Sequence, residues 1–220
     1  MAERKLDVLV VHWYERRNRS PDVVARWLGA AREHLPEAVP LRFGDTEPLR
    51  GRGDLFQAYA RADTMLLLAG TPPVYHASLA VADARGPVAV HTLHAELDPG
   101  DERVRRFALA LTHPGTVYVS ASVAGDMVLD GTTLYGPAVR PEEPYLAPRG
   151  DWLGLPPEPP VWCWFGPAYA RRVGGEFYTG GPWVPERLRA RLSEVDPARR
   201  HARRMPRGLR RSVFVVASRT

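Results

Sequence analysis

The first apolar run of the chain, Leu6–Tyr14 (LDVLVVHWY), places the strongest constraint on the fold. It is apolar nearly throughout, so it lacks the regular alternation of a strand that has one face in water. It is also far shorter than the roughly 20 residues that a membrane-spanning helix needs. We therefore predict a β-strand that is either central in its sheet or covered on both faces. Because the N-terminus has no small-residue cleavage site of the kind that ends a signal peptide, we expect a cytoplasmic protein without a membrane partner.

The pattern of the following residues predicts both helices and strands. Ser20-Pro21-Asp22 is typical of a helix start, with Ser20 as N-cap, and the apolar residues from Val23 to Leu35 repeat at helical spacing. Two more amphipathic helices are predicted, at 54–61 and 101–113. Strands are predicted at 39–43, 64–69, 74–84, 87–97, 116–123 and 161–165, the third and fourth of them paired as a hairpin. This order favours an α+β fold, in which a mixed or antiparallel sheet has its helices packed mainly on one side.

The chain is expected to divide into one domain, residues 1–196, and a basic C-terminal tail, residues 197–220. The formal net charge is +5, but residues 197–220 contain eight arginines and no acid, which leaves a net charge of −3 on residues 1–196. Residues 131–160 are rich in proline and aromatic side chains, so we expect an ordered loop that lies over the core. A last helix is predicted at 185–195.

The tail could bind nucleic acid. Its closely spaced arginines would neutralise phosphates and make the affinity fall steeply with salt; they are Arg199, Arg200, Arg203, Arg204, Arg207, Arg210 and Arg211. No aromatic residues are interleaved with them, so the pattern does not indicate base-specific recognition. The alternative is a tail that pairs with the acidic body or with a protein partner.

A candidate metal site lies in the second half of the predicted hairpin. His91, His94 and Glu96 are residue types that bind transition metals, and such a site would suit a small metal-dependent hydrolase. In an extended strand, however, His94, Glu96 and Asp98 lie on one face and His91 on the other. His76, on the partner strand, could supply a further ligand. The alternative is a solvated sheet face without metal.

Other catalytic chemistry has little support in the sequence. Cys163 is the only cysteine and lies between Trp162 and Trp164, where apolar surroundings would raise the pKa of a thiol and make it unreactive. The nucleophile motif G-x-S-x-G and the glycine-rich phosphate loops do not occur. We therefore expect a protein that is not an enzyme and that carries no cofactor.

A candidate partner-binding surface follows the first strand. Trp13, Tyr14, Arg16 and Arg17 lie where the strand leads into a loop. Trp, Tyr and Arg are the residues most often found as anchors of protein–protein interfaces. These four residues are the predicted partner-binding set, with burial of the aromatic rings in the core as the alternative.

Several segments together resemble a known group of proteins. They are HWYERR at the end of the first strand, the helical segment SPDVVARWLGAAREHLP, the turn RFGDTEPL at 42–49, and WLGLPPEPPVWCWFGPAYARRVGG at 152–175. In this order they resemble the immunity proteins of bacterial polymorphic-toxin and type VI secretion systems, especially those paired with nuclease toxins of restriction-endonuclease type. The resemblance covers roughly residues 1–195 and leaves the tail out.

The resemblance implies an α+β inhibitor that occupies the active site of its toxin or blocks assembly of that site. It carries over no catalytic residues. Inhibitors of nucleases are commonly acidic, and only residues 1–196 of this basic chain fit that description. We therefore expect a cytoplasmic immunity protein that neutralises a cognate protein toxin by stoichiometric binding, with a nuclease as one candidate toxin.

Overall fold

The computed structural model describes most of residues 3–136 and a few short segments after them. The described residues are 3–16, 22–46, 48–49, 51, 53–81, 88–131, 133–136, 161–167, 170 and 177–179. The predicted loop at 131–160 lies mostly outside these residues, and its described part includes a short strand at Thr133–Tyr135. The predicted helix at 185–195 and the arginine-rich tail lie outside them.

Within the described residues the chain forms nine strands and three α-helices. The strands are β1 (Arg4–Arg16), β2 (Arg42–Gly44), β3 (Met65–Ala69), β4 (Val74–Ala80), β5 (Val88–Ala95), β6 (Thr116–Asp130), β7 (Thr133–Tyr135), β8 (Trp162–Phe165) and β9 (Phe177–Thr179). The helices are α1 (Val23–His34), α2 (Leu55–Arg61) and α3 (Glu102–Ala110), with a single 3₁₀ turn at Pro36–Ala38.

The strands form one antiparallel sheet in the order β2-β3-β4-β5-β1-β6-β8-β9, and β7 pairs with β6. The first strand lies in the middle of this sheet, between β5 and β6, and every residue from Val8 to Glu15 is buried. Its central position explains why its sequence is apolar nearly throughout. The predicted α+β class and the packing of helices on one side of the sheet are confirmed.

Alternate residues of β1 belong to two different cores. Leu9, Val11 and Trp13 point to the helix face, defined as the face on which α1, α2 and α3 pack. Val8 and Val10 point to the opposite face. Because side chains alternate along a strand, the register fixes which residues can meet the helices.

Three aromatic side chains join the sheet to two helices. Trp13 of β1 lies edge-on to Trp27 of α1 and to Phe107 of α3, with ring centres 5.9 and 5.8 Å apart. The two indole N–H groups are bonded, from Trp13 to the carbonyl of Ala108 and from Trp27 to that of Ala38, each at 2.9 Å. Burial of these large rings together with their polar groups makes the cluster a major part of the core.

The start of α1 differs from the expectation that Ser20 is the N-cap. Asp22 is the N-cap, and its carboxylate accepts hydrogen bonds from the backbone N–H groups of Val24 and Ala25 at 3.0 and 3.2 Å. The carboxylate satisfies two of the N–H groups that a helix start leaves open. It also places a negative charge at the positive end of the helix dipole.

The sixth strand is longer than predicted, because a bulge lets its pairing continue. The register between β1 and β6 shifts between Leu6 and Val8, opposite Gly125 and Asp126. Asp126 has φ of 56°, a left-handed conformation that aspartate tolerates better than most residues. Beyond the bulge, pairing resumes at Leu6 and Met127.

The sheet curls around its opposite face. Tyr75 of β4 packs in one apolar cluster with Met127 and Leu129 of β6, although β5 and β1 lie between these strands in the sheet. Only a strongly curled sheet can bring them together. None of the helices that the structure describes is long and apolar enough to cross a membrane.

Replacing Trp13 by alanine is expected to lower the free energy of unfolding by about 3–5 kcal/mol, because it removes a fully buried ring and leaves a cavity. Chemical denaturation followed by circular dichroism measures the change. The matched control is Phe56→Ala, since Phe56 is 45% exposed and surface substitutions usually change stability by less than about 0.5 kcal/mol. Equal effects of the two substitutions would contradict this packing.

Candidate functional site

The predicted metal ligands His91, His94 and Glu96 do not come together. His91 lies on the helix face and is buried; its Nδ1 accepts a hydrogen bond from the backbone N–H of Ala80 at 3.1 Å. His94 lies on the opposite face, directly across from His76 of β4. Their separation by the sheet follows from the odd spacing of His91 and His94 in one strand. Among the residues that the structure describes, no three His, Cys, Asp or Glu side chains are placed to hold an ion together.

Glu96, directly after β5, accepts hydrogen bonds from two other side chains. Its carboxylate accepts hydrogen bonds from both terminal nitrogens of Arg4, at 2.9 and 2.5 Å, and from the hydroxyl of Tyr75 at 2.7 Å. The bond from Tyr75 and the charge of Arg4 hold the pKa of Glu96 below its usual range. Glu96 is therefore an ionised partner of Arg4 at the surface.

The structure places the predicted anchors Trp13 and Tyr14 in the core, which corrects the view that they form an exposed surface. Trp13 is 0% and Tyr14 1% exposed. Tyr14 stacks on Tyr118 of β6 on the opposite face, with ring centres 5.8 Å apart. Both rings belong to the central strand, so neither can contact a partner while the sheet stays folded. Of the predicted set, Arg16 is half-buried and Arg17 lies outside the described residues.

A buried charge network, which we call the Glu15 network, lies on the helix face at the end of β1. The carboxylate of Glu15, with 1% of its side chain exposed, accepts two parallel hydrogen bonds from Arg26 of α1, at 2.9 and 2.7 Å. The Nε2 atoms of His113 and His91 lie 3.0 and 3.5 Å from Glu15 Oε2. Arg26 also donates to the carbonyl of Leu111, just after α3. The network joins β1, α1, β5 and the segment that precedes β6.

Backbone contacts fix the tautomers of both histidines in the Glu15 network. The Nδ1 atom of His113 accepts from the backbone N–H of Gly115 at 3.0 Å, as that of His91 does from Ala80. Since Nδ1 is an acceptor in each ring, a neutral ring carries its proton on Nε2. Both Nε2–H groups are then on the side of the ring near Glu15.

The pKa of Glu15 lies well below its usual value. Burial alone would raise it, but the nearby imidazoles of His113 and His91 and the two bonds from Arg26 outweigh burial and keep the carboxylate ionised. The sequence carries one signal of this network: alternation places Glu15 on the same face as Val11 and Trp13, where a carboxylate requires a buried partner. The identity of that partner depends on contacts between distant parts of the chain.

The opposite face of the sheet carries a row of polar side chains across five strands. Ser78, Thr92, His12, Ser120 and Cys163 are successive cross-strand partners on β4, β5, β1, β6 and β8. The first two share a hydrogen bond between their hydroxyl oxygens, at 2.8 Å. This row lies between the apolar cluster that contains Tyr75 and the stacked rings of Tyr14 and Tyr118. The middle of the opposite face is therefore polar.

Cys163 is buried within this row. Burial raises the pKa of its thiol to about 12, although a contact with Tyr118 lowers it in part. A thiol with so high a pKa is almost entirely protonated near neutral pH, and the thiolate is the reactive form. The position of the side chain agrees with the prediction of an unreactive core cysteine.

Comparisons with protein-family models, with curated proteins and with solved structures find no match to this chain.

Glu15→Gln is expected to lower the free energy of unfolding by about 3–5 kcal/mol near neutral pH, because it leaves Arg26, whose side chain is only 16% exposed, without its counter-charge. The folded-state pKa of Glu15 lies below the ordinary value of 4.5, so its stabilisation is complete above that value and is lost as the pH falls. The difference between wild type and variant should therefore be largest above about pH 5 and shrink below about pH 4. Denaturant unfolding across this pH range measures it.

The control for this experiment is Glu33→Gln, since the Glu33 side chain is 74% exposed and its removal should change stability by less than about 0.5 kcal/mol. A Glu15→Gln effect that is small, or that does not depend on pH, would show that the carboxylate is not held in its charged form by the network.

Alkylation of Cys163 by iodoacetamide is expected to be at least about 100-fold slower in the folded protein than in denaturant, because both burial and the high pKa suppress the thiolate. Intact-mass spectrometry over time gives both rates. Similar rates in the two conditions would mean that the thiol is accessible and ionisable in the folded state.

Proposed function

We propose that this chain is a non-enzymatic immunity protein that neutralises a cognate bacterial toxin in the cytoplasm by stoichiometric binding. The sequence resemblance supports this class of function. The structure supports a particular place for the interface, the connection between β1 and α1, which contains Arg17 and starts at Arg16.

The observation that carries the proposal is that both ends of this connection are held rigidly. At its start, the backbone N–H of Arg16 donates to the carbonyl of Gly115 at 3.0 Å, and the adjacent Glu15 is buried in its network. At its end, Asp22 caps α1, and Arg26 in the first turn of α1 binds Glu15. Fixed ends reduce the conformational entropy that a binding segment loses on complex formation.

The composition of the connection suits a protein interface. Arg16, Arg17 and Arg19 lie within four residues of sequence. Arginine is enriched among the residues that dominate binding energy, and it binds carboxylates through two parallel hydrogen bonds. We therefore expect acidic residues on the matching surface of the toxin. Trp13 and Tyr14 support the connection from the core, without contacting the partner.

The direct test is to capture the tagged protein from its native lysate at high salt and to identify what remains bound. High salt releases phosphate contacts, whose affinity falls steeply with ionic strength, and largely spares a packed protein interface. The expected result is one protein in a 1:1 ratio that inhibits growth when expressed alone and is neutralised by co-expression. A bait that carries only nucleic acid, and only at low salt, would contradict the proposal and favour the tail arginines from Arg199 to Arg211.

Arg16→Ala and Arg17→Ala are each expected to weaken binding of the captured partner about 10-fold or more, as loss of an interface arginine commonly does. Isothermal titration calorimetry measures the affinity. The matched control is Arg106→Ala on α3, whose side chain is 67% exposed and far from the connection in sequence. Unchanged affinity in both variants, with stability retained, would place the interface elsewhere.

A further inference from the structure

The opposite face carries a pair of histidines on two adjacent strands. His76 of β4 and His94 of β5 are direct partners in the antiparallel register, so their side chains leave the same face of the sheet side by side. Their ring centres are 5.5 Å apart and their planes meet at 71°. Both side chains are half-buried.

This separation matches that of two imidazoles bound to one ion. A zinc–nitrogen bond of about 2.1 Å to each ring would put the ring centres roughly 5 to 6 Å apart. Imidazole is a preferred ligand of Zn²⁺, Cu²⁺ and Ni²⁺, whereas Mg²⁺ and Ca²⁺ prefer oxygen. We propose that His76 and His94 form a two-imidazole chelate for a divalent transition-metal ion.

The two strands hold the backbone of both histidines in place before an ion binds. The next pair on the same face, Ser78 and Thr92, is joined by a hydrogen bond of 2.8 Å between the hydroxyl oxygens. This bond fixes the spacing of β4 and β5 directly beside the histidines. A chelate formed by two adjacent strands of a sheet therefore loses less conformational entropy than one formed by a loop.

The other potential ligands near this pair, His12 and Glu96, contact other residues. His12 is on the same face, one strand further along, but its ring stacks against Tyr14 with centres 6.0 Å apart. Glu96 is bound by Arg4 and Tyr75. The site therefore has two protein ligands, in agreement with the lack of any group of three among the described residues. Water, or a group from a bound partner, would fill the remaining coordination positions.

Calorimetric titration of the full chain, purified without a histidine tag, tests this site with Zn²⁺ and Ni²⁺ as probes. The expected result is about one ion per chain, with no binding of Mg²⁺ or Ca²⁺ under the same conditions. His94→Gln should weaken binding at least about 10-fold, since even loss of a group that only orients a ligand costs that much. The double variant H76Q/H94Q should abolish it. The control His34→Gln, on α1, should keep the wild-type affinity.

A measurement on the wild-type protein keeps the test independent of variant folding. Zn²⁺ should protect His76 and His94, but not His34, from modification by diethyl pyrocarbonate, as mapped by mass spectrometry of peptides. Absence of Zn²⁺ and Ni²⁺ binding, binding that survives the double variant in a folded protein, or protection confined to other histidines would each overturn the proposal.

Discussion

The ion pair between the buried Glu15 and the half-buried Arg26 is the constraint on which the arrangement of this protein depends. A carboxylate without water must have charged or hydrogen-bonding partners, and here they come from α1, β5 and the segment before β6. Because each partner belongs to a different element, a shift of the helices on the sheet would separate Glu15 from its partners and leave its charge unpaired inside the protein. The pair thus specifies one packing of α1 and α3 against β1, beside the aromatic cluster around Trp13.

The same pair determines which part of the chain is left for binding. It fixes the last residues of β1 and the first turn of α1, and the arginine-rich connection lies between these points. Trp13 and Tyr14 fill the two sides of the central strand and so give the connection a rigid base. On the other side of the sheet lie the largely buried polar row and the half-buried pair of His76 and His94, and the contacts of the Glu15 network do not include them. The proposed partner interface and the proposed metal site are therefore independent.

Much of the fold could be predicted because it follows from short-range patterns. Apolar and alternating runs correctly predicted β1, β3 to β6 and β8, and helical spacing predicted the three helices, whereas β2 begins three residues later than expected and β7 lies in the predicted loop. Alternation separated His91 from His94, and the hairpin prediction paired the strands that carry His76 and His94. Contacts between distant residues could not be predicted in this way. The partners of Glu15 and the burial of Tyr14 under Tyr118 depend on strand order and on helix packing. The extension of β6 depends on a bulge in its pairing with β1, and the sequence of neither strand indicates that bulge by itself.

The most direct test of this account is a double-mutant cycle between Glu15 and Arg26, with Glu15→Gln, Arg26→Met and the double variant unfolded by denaturant near neutral pH. The account predicts a coupling free energy of about 2 kcal/mol or more, since each single change leaves a charge that is largely shielded from water without its partner while the double change removes both. A coupling near zero, with all variants folded, would show that the two residues stabilise the protein independently. The β1–α1 connection would then not be held by this pair, and the structural basis for placing the interface there would fail.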